Sequence, residues 1–241
     1  MPDSRAIVWD ATGEKLWEIG LDHGVCYPQN TDGTYAKGVA WNGLTAVSES
    51  PEGAEANKQY ADNIEYANIR SKEEFKGTIE AFTYPKEFEP CDGIATVNGV
   101  KVAGQTRRPF GFCYRTLIGN DTQGEDFAYQ IHVVYGCSVS PSEKSRETEN
   151  DSPEPIGLSW EFDTLPVIVT TNDPATGKAL KPVAHLVLDS RYLTEESMTA
   201  IKTLLYGGES TDPSLPTPDT IFSTAVAVGA QSAGGQTPGQ T

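Results

Sequence analysis

The residues that could do chemistry in this chain are few, and none falls in a spacing that marks a site. His23, His132 and His185 are its histidines. Asp22-His23 offers a ligand pair, yet no HExxH or HxH spacing accompanies it. His132 and His185 fall in strand-like runs, opposite the main apolar residues, and read as surface or edge histidines. Cys26, Cys91, Cys113 and Cys137 are widely spaced, with no CxxC pair. With no secretory signal visible, they read as reduced, partly buried small hydrophobes, free thiols rather than disulfides. Nothing local pairs one of them with a base. Gly53 and Gly77, or Gly99 and Gly104, make no GxGxxG or Walker pattern. The carboxylates are so numerous that pairing two of them as a hydrolytic dyad would be arbitrary. The expectation is therefore no catalytic, cofactor-binding or metal-ligating residue, no cofactor, and no enzyme.

Charge narrows the classes further. Thirty-four acidic residues against 18 basic ones give a formal net charge of −16. Affinity for nucleic acid comes largely from Lys and Arg displacing counterions from phosphates, so a duplex-binding role is disfavoured. The acidic excess serves solubility, or it makes a surface that repels a polyanion. Arg107-Arg108 before Phe110 reads as ion-pairing, within or between subunits, rather than as a nucleic-acid patch. No run approaches the ~18 apolar residues of a membrane helix. Met1-Pro2-Asp3-Ser4-Arg5 lacks the basic-then-apolar pattern of a signal peptide, so no membrane anchor is expected.

The elements are mostly strands. Phe110, Phe112, Tyr114, Thr116 and Ile118 alternate over 110–118, as do Phe127, Tyr129, Ile131, Val133 and Tyr135 over 127–135. Leu158, Trp160 and Phe162 share a face opposite Ser159 and Glu161. Residues 6–9 and 16–21 flank a polar turn and suggest a hairpin, and Asn98-Gly99 marks a tighter one between 95–97 and 100–102. Residues 39–47 are apolar but bent or bulged at Asn42-Gly43. Further strands are expected at 167–169 and 186–188. Residues 54–70 fit a helical stripe through Tyr60, Ile64 and Ala67, or a strand through Ile64 and Tyr66. One helix is expected near 194–206: Thr194 is its cap, Glu195 and Glu196 suit the positive end, and Gly207-Gly208 ends it. Polar loops are expected near 48–58 and 138–155. From 224 the chain turns Ala-, Gly-, Ser- and Gln-rich and reads as a flexible tail over 224–241.

Several segments resemble the major tail tube proteins of long-tailed, non-contractile phages. They begin with Trp41-Asn42-Gly43-Leu44-Thr45, Ser50-Pro51-Glu52-Gly53-Ala54-Glu55, Tyr60-Ala61-Asp62-Asn63 and Tyr66. Gly77-Thr78-Ile79-Glu80-Ala81, Tyr84-Pro85 and Gly104-Gln105 follow. Phe110-Gly111-Phe112-Cys113-Tyr114-Arg115-Thr116, Gly119-Asn120-Asp121 and Tyr129-Gln130-Ile131-His132 come next, then Pro166-Val167 and Leu215-Pro216-Thr217-Pro218-Asp219. The resemblance spans about residues 6–220.

What it implies is a mainly β fold, a β-sandwich or barrel with a flanking C-terminal helix, over domain 1–223. Subunits of that family form sixfold rings that stack into a tube, with one sheet from each subunit in a continuous barrel around the lumen. A long hairpin loop and a terminal arm clasp the neighbouring ring, which makes 54–70 extended. The implied role is a conduit for DNA during ejection, located in the virion tail after synthesis in the host cytoplasm. Implied partners are further copies of the chain, with tape measure, tail terminator and distal tail or baseplate proteins. DNA passes without specific binding, and an acidic lumen fits that. Within 48–58, Ser50, Pro51, Glu52, Gly53, Ala54 and Glu55 are expected to contact a neighbouring subunit or ring. The alternative is a β-sandwich recognition module on a virion or cell surface, binding carbohydrate or protein, with Trp9, Trp17, Trp41 and Trp160 as possible stacking platforms.

Overall fold

Alternation in the sequence becomes a rolled sheet with two buried faces. The computed structural model describes residues 7–146, 148 and 155–228. Strands β1 (Leu16–Pro28), β2 (Val39–Ala40) and β3 (Leu44–Glu49) come first, followed by four strands of a projecting arm. These are β4 (Glu52–Gly53), β5 (Ala56–Ala61), β6 (Ile64–Arg70) and β7 (Glu73–Glu74). The chain then returns through β8 (Lys76–Ala81), a small hairpin of β9 (Ala95–Val97) and β10 (Val100–Val102), and the long β11 (Phe110–Asn120) and β12 (Gly124–Val139). Strands β13 (Leu158–Thr164) and β14 (His185–Asp189) complete an antiparallel eight-stranded sheet of order β2-β1-β11-β12-β13-β8-β3, with β14 on the middle of β12, over 130–134, and β13 beyond it.

The ends of that sheet meet. Only Trp41, Asn42 and Gly43 separate β2 from β3. The Trp41 N–H donates to the Gly24 carbonyl at one end (2.8 Å), and the Phe82 N–H donates to the Gly43 carbonyl at the other (2.8 Å). Inside the roll lies an aromatic core of Trp41, Phe88, Phe110, Phe112 and Trp160. Its rings meet edge-on or tilted, Trp41 lying 4.5 Å from Phe88 and 5.5 Å from Trp160, as the ring quadrupoles prefer. On the outer face, Val25, Tyr27, Ile131, Val133 and Tyr135 pack under two helices through Met198, Ile201, Leu205 and Ile221.

Helix α1 (Glu195–Tyr206) starts where the Thr194 hydroxyl accepts the Ser197 N–H and stops at Gly207, whose φ of 84° suits glycine. A second helix, α2 (Pro218–Thr224), was not expected. Its start uses the same chemistry, a Thr217 cap with Pro218 pre-set in the first turn. The first residues of the tail expected over 224–241 are held in place. Thr194 donates its N–H to Val226 (2.9 Å) and Val228 donates to Tyr192 (2.9 Å), so 225–228 are pinned beside α1. Residues 229–241 lie outside the described part.

Other expectations need correction. Residues 7–15 form no strand, so the hairpin of 6–9 with 16–21 is absent; β1 pairs instead with β11, Trp17 opposite Gly119. The polar turn between them folds onto the β11–β12 turn, where the Gly13 N–H donates to Asp121 Oδ1 (2.9 Å). Residues 167–169 make only a single bridge, Val167 to Val183. The expected loop at 138–155 opens with the last two residues of β12, and 147 and 149–154 lie outside the described residues. The four cysteines are free and buried. Among the described residues, no helix is long and apolar enough to cross a membrane.

Candidate functional site

The expected loop at 48–58 is not a loop. It is the end of β3 and one side of a two-stranded arm in which β4 pairs β7 and β5 pairs β6. Backbone bonds close its root: the Ser50 N–H donates to the Lys76 carbonyl (2.8 Å) and the Ser71 N–H to that of Glu55 (3.2 Å). Its tip is Asp62-Asn63, both with positive φ (51° and 64°), the conformation of a tight two-residue hairpin turn. At the root Gly53 has φ of 92°, and a Cβ there would lie 2.3 Å from the Lys72 carbonyl oxygen. Only glycine fits that approach.

Among the described residues almost nothing else covers the arm. Every residue of β5 is exposed, and so is every residue of β6 except Ala67. Cross-strand pairing sets Ile64, opposite Ala61, and Ile69, opposite Asn57, on one face and Tyr60 on the other, with Tyr66 the extra residue at a register shift between them. Tyr60, Ile64, Tyr66 and Ile69 are all at least 60% exposed. A lone two-stranded hairpin is marginal in water, and this one shows apolar side chains on both faces. Ser50, Pro51, Glu52, Gly53, Ala54 and Glu55 are exposed at the root. The apolar groups sit further out. Sequence reasoning expected a contact at residues 50–55; the signal for the exposed apolar residues further out was the alternation around Asp62-Asn63.

More apolar surface is uncovered elsewhere. Ile7, Val8 and Trp9 in the N-terminal segment are each more than 70% exposed. Leu16, Trp17 and Ile19 on β1 are exposed as well, with Val97, Val100 and Val102 on the β9–β10 hairpin. Among the described residues neither Arg107 nor Arg108 makes an intramolecular ion pair, and Arg107 Nε is buried without a hydrogen-bond partner.

A second site sits where β3 ends and the arm begins. Glu49 (β3), His132 (β12) and His185 (β14) converge there. His132 is buried, against the expectation of a surface histidine, because both faces of β12 are covered. His132 Nδ1 lies 3.2 Å from His185 Nε2 and 3.3 Å from Glu49 Oε1, which is itself 3.7 Å from His185 Nε2. The Tyr114 hydroxyl donates to Glu49 Oε1 (2.6 Å), and Thr116 Oγ1 lies 3.2 Å from His132 Nε2. Tyr114 stacks on the His132 ring at 4.6 Å, and Phe75 lies 4.5 Å from the His185 ring.

The bond from His132, helped by the one from Tyr114, outweighs partial burial and holds the Glu49 carboxyl down at about 2. Burial pushes the His185 imidazole down to about 4 despite the Glu49 charge. Burial, reinforced by Glu49, pushes the Tyr114 hydroxyl well up. Three potential ligand atoms from three strands therefore lie within 3.7 Å of one another. Nothing in the spacing of 49, 132 and 185 could have announced this, because the register of β12 with β14 and the roll of the sheet bring them together.

No protein-family model and no curated protein matches the chain.

Proposed function

We propose that this chain is the structural subunit of a phage tail tube, self-assembling into sixfold rings that stack around a conduit for DNA. The observation that carries the reading is the arm of residues 52–74. Its apolar faces have no cover among the described residues of their own chain, and further copies of the chain are the occupant that a tube supplies. From Glu52 to its tip the arm reaches roughly 30 Å, about 3.3 Å per residue, far enough to lie across a neighbour. The exposed Ile7-Val8-Trp9 segment is a second strap of the same kind. Head-to-tail contacts that do not close on themselves build filaments, and closure into a ring removes exposed sheet edges.

The charge suits the role. A net charge of −16 works against phosphate contacts, so a lumen carrying part of it conducts a duplex without friction. Tape measure, terminator and distal tail proteins are the partners this reading brings, and the virion tail is its location. The competing reading, a surface recognition module, draws on exposed Trp9 and Trp17; Trp41 and Trp160 are spent in the core.

The test is a pair of charges on the arm. Tyr66→Glu and Tyr60→Glu replace exposed side chains, so stability should stay within about 0.5 kcal/mol of the parent. Ring or tube yield should fall at least tenfold. Unchanged assembly with the parent's thermal stability would remove the arm from the interface.

A further inference from the structure

The geometry points to a zinc-binding site formed by Glu49 Oε1, His132 Nδ1 and His185 Nε2, at the root of the arm. Zinc held by nitrogen and oxygen at about 2.0–2.2 Å in a tetrahedron sets its ligand atoms about 3.3–3.5 Å apart. The three edges here are 3.2, 3.3 and 3.7 Å. An octahedral ion at the same bond lengths would bring the edges to about 3.0 Å, which the triangle exceeds throughout. Two imidazoles and one carboxylate are also a donor set suited to zinc rather than to magnesium or calcium, which take oxygen. A single N–H between the two rings satisfies one edge of the triangle; a cation satisfies all three.

The surroundings orient the ligands. With Nδ1 of His132 on the metal, its Nε2 carries the proton and donates to Thr116 Oγ1, fixing the tautomer. Tyr114 holds the Glu49 oxygen by hydrogen bond and the His132 ring by stacking. Phe75 backs His185. Glu49 is about a third exposed and supplies the way in from solvent.

The site has a mechanical consequence. In the sheet β3 is separated from β12 by β8 and β13, so a bound ion would tie strands that share no ladder. Glu49 immediately precedes Ser50, where the arm begins. Zinc would therefore fix the root of the arm to the wall of the roll. This inference stands on the triangle alone and does not depend on what the arm binds.

The experiment uses the untagged full chain, stripped with a chelator and titrated with Zn²⁺ against a chromophoric competitor. One equivalent should bind per chain, Mg²⁺ and Ca²⁺ should not compete, and the melting temperature should rise with Zn²⁺ by mass action. Loss of an orienting partner costs about 10–100-fold in metal affinity, so loss of a ligand should cost more than about 100-fold. Glu49→Gln and His185→Phe, which keep side-chain shape, should show that loss, and His23→Ala should show none. Co²⁺ in the unmodified chain should give the intense visible bands of a tetrahedral site, a readout that needs no variant. No stoichiometric Zn²⁺ binding, binding that survives in both ligand variants or is lost in His23→Ala, or an octahedral Co²⁺ spectrum would each overturn the assignment.

Discussion

Tyr27, Tyr35 and Tyr135 show how single side chains join the layers. The Tyr27 hydroxyl donates to the Leu205 carbonyl (2.7 Å) in the last turn of α1, where carbonyls lack helical partners. Tyr135 donates to the Pro216 carbonyl (3.0 Å) ahead of α2, and the Tyr35 hydroxyl accepts the Gly136 N–H (3.0 Å). Beneath them the cysteines act as small apolar groups. Burial pushes the Cys113 thiol up to about 12 and raises Cys26 and Cys137 well above the ordinary thiol range. Thiolate is the reactive form, so a thiol reagent at neutral pH should leave the native protein essentially unlabelled. In denaturant all four cysteines should react; fewer than four would reveal a disulfide. The free state of these cysteines was readable from their wide spacing. His132 was not readable, because period-2 alternation reports which residues share a face and says nothing about whether the second face is covered.

At the scale of elements, long alternating runs were the legible part, since β11, β12 and β13 each extend a run that alternates in the sequence. The Asn98-Gly99 turn likewise specified its hairpin, with φ of 51° and 84°. Residues 7–9 fail for a different reason. Their strand propensity is sound, but propensity does not choose partners: β1 pairs with β11 on one edge, and on the other it pairs only at Val25 and Cys26, with β2. The arm was legible as extended only through resemblance, because 54–70 fits helix and strand patterns alike. Its root gives a sharp prediction. Gly53→Val forces a Cβ against the Lys72 backbone at a φ that β-branched residues avoid, so β4 and β7 should separate. The arm buries little of its own chain, so thermal unfolding should shift by only a few degrees, while sedimentation should show ring or tube formation falling severalfold. A large loss of stability with normal assembly would mean that the arm belongs to the fold rather than to the interface.

For the whole molecule, the core is complete and the surface is not. The aromatic interior and the helical layer are closed, yet Trp9, Tyr60, Ile64, Tyr66 and Ile69 face solvent at 60% or more. A net charge of −16 works against nonspecific association through such patches. The proposed ring symmetry is not legible in the residues themselves, because symmetry depends on how copies meet, and a single chain holds only one side of any such contact. Electron microscopy of the purified full chain, at rising concentration and with tail-initiator proteins supplied, addresses that directly. The account predicts sixfold rings or tubes in which residues 52–74 lie against another copy. Monodisperse single particles under all these conditions, with residues 52–74 still free, would contradict it.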